Sequence, residues 1–220
     1  DKKPEYPIHG TIFYANGNRI SPDSTKPVFT IMLNNDSTKI LTETAPHFGN
    51  SSGNITPYST YSIDLGNFKN LKNGDTYTLT FACRNSDESA TIKGTVQNLD
   101  AHKGVKQDIH LTQQSLPATP GGFGHDIWGS GTEVRLYWKK SYPNERFRVY
   151  RRDYRNQASY RLVANNIKQP FYADKDITGD KIYGYLVMSV DKNGNMGMFA
   201  PEINNIAGSN FLTDMRYPNQ

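Results

Sequence analysis

Two successive all-β sandwich domains are the fold this sequence predicts. Three observations predict it. Apolar and polar residues alternate with period two through most of the chain, Asn-Gly and Asn-Asp steps punctuate that alternation, and 14 Tyr and 10 Phe suit pleated, half-buried surfaces better than helices. The 220 residues accommodate two cores of about 100 residues each, the common domain size.

In the first half, Ile8, Gly10, Ile12 and Tyr14 open the alternating series. Val28–Leu33, Lys39–Thr42, Tyr61–Leu65, Tyr77–Cys83, Thr91–Val96 and Asp108–Leu111 follow, giving seven strands for one sandwich. Asn16-Gly17, Asn34-Asn35-Asp36, Asn73-Gly74-Asp75 and Asn85-Ser86-Asp87 supply turn residues that tolerate positive φ. The polar stretch Pro46–Pro57 reads as a mobile loop or a binding loop. One cysteine, Cys83, excludes an internal disulfide. It lies in phase with Tyr77, Leu79 and Phe81, which predicts a buried thiol on the inward strand face.

The pattern Gly10–Ile20, Tyr61-x-Ile63-x-Leu65, Leu71 and Gly74-Asp75-x-Tyr77-x-Leu79 loosely resembles the transthyretin-like or carboxypeptidase-regulatory-like sandwiches of bacterial surface proteins. The resemblance covers residues 6–113. It departs where those domains have a short Gly-Ala-x-Val hairpin and this chain has Ser21–Pro27.

Two prolines and two glycines in Gln113–Gly122 mark a linker, 114–120. Beyond it, residues 121–203 resemble a fibronectin type III domain of bacterial surface and glycan-active proteins. Val134-x-Leu136-x-Trp138, Phe147-x-Val149-x-Arg151, Tyr160-x-Leu162, Tyr172-x-Asp174 and Tyr183-x-Tyr185-x-Val187 carry the resemblance. Their phase independently places Trp138 at the centre of a core faced by Phe147, Val149, Tyr185 and Val187. Tyr183 takes the place of a corner tyrosine whose hydroxyl ties back to the preceding loop. After Glu202, residues 204–220 no longer fit a strand and read as a C-terminal extension that packs back on the protein or docks on a neighbour. Residues 1–5, charged and then proline-bearing, read as a tether such as follows the acylated cysteine of a bacterial lipoprotein.

Charge is uneven. Residues 1–115 hold 11 Lys+Arg and 11 Asp+Glu, whereas residues 116–220 hold 14 and 10, so the whole net charge of +4 sits in the second half. Its densest cluster is Arg146–Arg155. In a strand, Arg146, Arg148, Tyr150 and Arg152 share the outward face, either as an anion-binding stripe or as a solvated face that discourages edge aggregation. Trp128 lies in the glycine-rich segment Gly121–Gly131, which reads as an extended first connection; its ring fills an interdomain groove or offers a platform on which a sugar ring stacks.

Chemistry of other kinds has little support. The five histidines stand in no nucleophile elbow and at no metal-pair spacing, so no catalytic residue, metal ligand or cofactor is assigned. Asp191–Asn195 imitates the front of a calcium loop but reads as a turn between the last strands, and Asp174–Asp180 reads as an ordinary acidic loop. Nucleic acid is disfavoured because the basic excess is confined and no reading motif occurs. The expectation is a non-catalytic, extracytoplasmic binding or spacer protein of a bacterial cell envelope, attached to the membrane only through a lipid tether, with a polysaccharide or another surface protein as partner. The glycan association is what the resemblance implies. A structural subunit of a surface fibre or adhesin is the alternative, and the accessory end of a larger hydrolase is the third.

Overall fold

The computed structural model describes residues 4–20, 27–43, 60–83, 86–101, 104–114, 116–128, 132–157, 159–178, 181–200 and 203–206. The chain divides at Leu116/Pro117 into two compact units. Among the described residues, regular structure is strand throughout, apart from two single turns of 3-10 helix at Leu65–Asn67 and Leu99–Ala101.

The first unit contains β1 (Pro7–Phe13), β2 (Pro27–Leu33), β3 (Lys39–Glu43), β4 (Thr60–Asp64), β5 (Thr76–Cys83), β6 (Glu88–Thr95), β7 (Val105–Lys106), β8 (Ile109–His110) and β9 (Thr112–Gln113). One sheet has β1 between antiparallel β4 and parallel β7, with β8 also parallel to β1. The other runs β3-β2-β5-β6-β9. The last predicted strand is therefore three short pieces, and it changes sheets between β8 and β9. Ile8, Ile12, Tyr61 and Ile63 meet Phe29, Ile31, Leu79 and Phe81 in one apolar interior, where Phe29 stacks on Tyr61 at 5.3 Å and meets Phe81 edge-on at 4.5 Å.

Carboxylates pin the loops of this unit to its strands. Asp64 Oδ1 accepts the amides of Tyr6 and Gly66 at 2.7 and 2.9 Å, and Asp108 Oδ1 accepts that of Thr11 at 2.9 Å. Gly10 sits where a β-carbon would run into the Gln107 carbonyl, so glycine is what lets the last segment lie against β1. Cys83 is buried with Tyr77, Leu79 and Phe81, as their phase predicts. One-sided burial does not hold everywhere: Val28, Thr30 and Ala82, out of phase with the core residues, are buried as well.

The second unit contains β10 (Gly121–Trp128), β11 (Glu133–Lys139), β12 (Arg146–Asp153), β13 (Tyr160–Ile167), β14 (Phe171–Asp174), β15 (Ile182–Val190), β16 (Met196–Phe199) and β17 (Ile203–Ile206). One sheet is β10-β11-β14; the other is β13-β12-β15-β16, with β17 following β16 along the same side of β15. Val134, Leu136 and Trp138 meet Phe147, Val149, Tyr183, Tyr185 and Val187 between the sheets, and Trp138 packs edge-on against Phe147 at 5.2 Å.

Two expectations are corrected. Gly121–Trp128 is not an extended connection but a strand in register with β11, because its alternation of small and large residues matches a pleat once a bulge between Gly121 and Gly124 is allowed. Ile203–Ile206 is also a strand, pairing with Ile182–Tyr185. Asn204-Asn205 hide the apolar period, but backbone pairing does not need it. Residues 1–3, the 21–26 segment, the whole 46–57 loop and 207–220 lie outside the described residues.

A charged clamp crosses the second core. Arg151 on β12 donates to Asp174 Oδ2 on β14 at 2.7 Å, with the two side chains 4% and 1% exposed, and Tyr185 on β15 donates to the same oxygen at 2.9 Å. Arg151 also donates to the Asp176 backbone carbonyl and lies 4.9 Å from the Tyr183 ring centroid. The Thr178 amide donates to the Tyr183 hydroxyl at 3.0 Å, which is the corner tie expected of that tyrosine. A second buried bond, Ser189 Oγ to Glu145 Oε1 at 2.5 Å, holds the β11–β12 turn, where Glu145 Oε2 accepts the Ser141 amide at 2.6 Å.

Three stability outcomes follow from this packing. Trp138→Ala removes the ring at the centre of the second core and should cost about 3–5 kcal/mol in denaturant unfolding. Arg151→Met leaves Asp174 as an uncompensated buried carboxylate and should cost about 3–5 kcal/mol; Asp174→Asn in the same chain should recover part of that loss, whereas additive losses would show that the pair is not coupled. Burial pushes the Cys83 thiol from its ordinary 9.0 up to about 11. The folded first unit thus keeps a proton that the unfolded chain releases, so stability is full below about pH 9 and falls, on the order of 2 kcal/mol, as pH rises toward 11. Denaturation midpoints across that range should drop, and iodoacetamide near neutral pH should label Cys83 only in denaturant.

Candidate functional site

The predicted stripe begins from the pleat of β12. Phe147 and Val149 are fully buried toward the core, as their phase requires. On the other face, Arg146 donates to the carbonyls of Asn144 and Glu145 at 3.1 and 3.2 Å, and Arg148 Nε–H donates to Asn165 Oδ1 on β13 at 3.1 Å. These two half-buried cations lie two residues apart on one strand face.

Tyr150 and Arg152 correct the picture of an open guanidinium row. Tyr150 is fully buried, its hydroxyl 3.4 Å from Met196 Sδ, and its partner across the ladder, Leu186, is buried too. Arg152 is held between the rings of Tyr154 and Tyr160, 4.9 and 5.0 Å from their centroids. The middle of this face is apolar because β15 supplies Leu186 and Met188 there, both fully buried. The sequence carried that signal: Tyr183–Val190 is a nearly continuous apolar run, the mark of a strand buried on both faces. Arg146 and Arg148 are what remains of the stripe, and Trp128 stands apart from it at the end of β10, opposite Glu133; its side chain lies outside the described residues.

The acidic loops resolve as turns and clamps. Asp191 Oδ1 accepts the amides of Asn193 and Asn195 at 2.8 and 2.9 Å, while Oδ2 accepts Asn195 Nδ2 at 2.8 Å. Asn195 chiefly holds this carboxyl below the usual carboxylate range. Asp174 belongs to the buried clamp described above. Of the described histidines, His110 stacks on Phe13 at 4.8 Å in the first unit and His125 lies in β10, opposite Leu136, in the second.

One surface was missed by sequence reading. Tyr137 on β11 and Phe171 on β14 are direct register partners and are 44% and 46% exposed. Tyr137 is the out-of-phase aromatic in Val134–Trp138, and Phe171 precedes the inward Tyr172. An aromatic residue at the solvent phase of each of two strands was the available signal.

The sequence matches no protein-family model and no curated protein. Among solved structures, an Fn3-like protein from Clostridium thermocellum is similar over 41% of this chain and 92% of its own, with 27% identity and a TM-score of 0.37. The FN1-FN3 domains of chicken CNTN1 are similar over 94% of this chain and 65% of theirs, with 11% identity and a TM-score of 0.37. Domains A168-A170 of titin are similar over 83% and 55%, with 16% identity and a TM-score of 0.37. None of these three is a transthyretin-like protein. The strand order itself, first, second and fifth in one sheet and the remainder in the other, makes the second unit a sandwich of the fibronectin type III and immunoglobulin-like kind within an all-β chain.

Proposed function

We propose that the chain is a non-catalytic, extracytoplasmic binding or spacer module of a bacterial cell envelope, with a transthyretin-like first domain, and that it contacts envelope glycan through the outer faces of its second sandwich. The observation that carries this reading is where the second sandwich places its polar groups. Arg151, Asp174 and Tyr185 satisfy one another inside it, as do Glu145 and Ser189, so the interior is committed to holding the sheets together and recognition falls to the outside. The net positive charge of residues 116–220 favours an acidic ligand, and Arg146 with Arg148 offers guanidinium forks to it. The single buried cysteine suits a surface protein whose stability comes from its cores.

Affinity electrophoresis of the full chain through gels containing alginate or hydroxyethylcellulose tests the reading. Alginate should retard the protein, and retardation should weaken with salt. Arg148→Ala should raise the dissociation constant roughly tenfold, the worth of one charge-assisted hydrogen bond. Retardation by neither polymer, or release of sugar from either, would overturn the proposal.

A further inference from the structure

The face formed by Tyr137 and Phe171 has three properties that together define a ligand. The first is flatness. Gly124 stands opposite Tyr137 on β10, and a β-carbon there would come within 2.5 Å of the tyrosine ring. The ring thus lies across the strand, over the space a side chain would occupy, and turns one broad face outward. Phe171 is the cross-strand partner on the other side, so a half-exposed aromatic residue stands on each of two neighbouring strands of a three-stranded sheet.

The second property is the rim. Lys139, two residues beyond Tyr137 and on the same face, is exposed, and its aliphatic stem runs beside Gly122. Arg135, two residues before Tyr137, is 2.5 Å from Glu133, and Lys175 reaches the same carboxylate at 3.7 Å. Arg135 and Lys175 flank Glu133 at one end and Lys139 stands at the other, while Asp126 is in register with Arg135, so three cations against two acids leave the rim net positive by one.

The third is that the fold fixes the face on which these residues stand. Tyr172 and Asp174 point inward from β14, the latter into the Arg151 clamp, which leaves Phe171 no inward alternative. Two outward aromatic residues with a net cationic border suit a ring that is apolar on its face and anionic at its edge.

We infer that Tyr137 and Phe171 form a stacking platform for an acidic polysaccharide, with sugar rings lying on the two aromatics and uronate carboxylates meeting Lys139, Lys175 and Arg135. Resting on the glycan-binding reading above, this names the ligand class and moves its centre from β12 to the β10-β11-β14 sheet. Single-stranded nucleic acid also stacks on aromatics, but it is bound along a continuous basic track. Here Glu133 interrupts the cations, which a densely charged phosphate chain would meet unfavourably.

Affinity electrophoresis of the full chain with alginate, hyaluronate, hydroxyethylcellulose and oligo(dT), alongside thermal unfolding, tests the inference. Phe171→Thr keeps a β-branched strand former and removes the ring; it should cut alginate or hyaluronate affinity at least tenfold while the melting temperature stays within a few degrees, and Phe171→Trp should retain binding. Should Phe171→Thr fail to fold, the double variant Lys139→Gln/Lys175→Gln provides the reading, with an expected loss of similar size confined to the acidic polymers. Undiminished acidic-glycan binding in these variants, together with its loss in Arg148→Ala, would overturn the platform and leave the glycan reading standing. Equal affinity for hydroxyethylcellulose, or tighter binding of oligo(dT), would overturn the ligand class. No retardation by any glycan would overturn both proposals.

Discussion

A buried carboxylate governs the second unit. Asp174 carries its charge at 1% exposure, which is tolerable only because Arg151 and Tyr185 both donate to it. Those donors stand on β12 and β15, in the sheet opposite Asp174's own, so the clamp fixes how the two sheets align. It also determines direction along β14. With Asp174 inward, Tyr172 is inward and Phe171 and Ala173 are outward; a slip of one residue would expose the carboxylate's place in the core and bury Phe171. The exposed aromatic face is therefore a consequence of the buried charge.

Among its described residues, the first unit aligns its segments without a buried ion pair. Asp64 and Asp108 take backbone amides from neighbouring segments, and the Tyr61 hydroxyl donates to the Gln107 carbonyl at 2.6 Å. Short segments such as β7 and β8, which put only Val105 and Ile109 against the core, are held also through such bonds. Glycine at position 10 lets the backbone approach closely enough to make them. Burial also raises the Tyr61 hydroxyl pKa well above its ordinary value, as it does for Tyr185, where the adjacent Asp174 carboxylate adds to the effect. Both units consequently share a weakness to alkali that arises from phenols placed in apolar interiors.

Period-two alternation made much of this legible. Trp138, Phe147 and Val149 could be placed because each inward residue is apolar and has a charged neighbour, Tyr183, Tyr185 and Val187 because the resemblance aligned them, and the turn at Asp191–Asn195 announced itself by composition. What the sequence hid was non-local. Tyr150 looks like an outward residue until β15 is laid beside it and supplies Leu186. Arg151 falls at an inward position where a charge is implausible until Asp174 arrives from the opposite sheet. Tyr137 and Phe171 were hidden for a different reason: each is unremarkable in its own strand, and only register makes them neighbours.

The arginines of β12 show why composition alone misassigns such a surface. Arg146, Arg148, Arg151 and Arg152 are consecutive or nearly so, and a charge count treats them alike. Burial separates them: Arg151 is structural, Arg152 is held between two tyrosine rings, and Arg146 and Arg148 retain partial exposure. Lys139 and Lys175 contribute no cluster to the sequence, being 36 residues apart, yet the β11–β14 pairing brings their strands together around two aromatic rings. Because long-range attraction is screened within about 8–10 Å, a polyanion responds to cations that are close in space and exposed. By that measure Arg146 and Arg148, two residues apart on one strand face, are the tighter cationic pair, Lys139 and Lys175 border the aromatic face from its two ends, and Arg151 and Arg152 serve chiefly to build the sandwich.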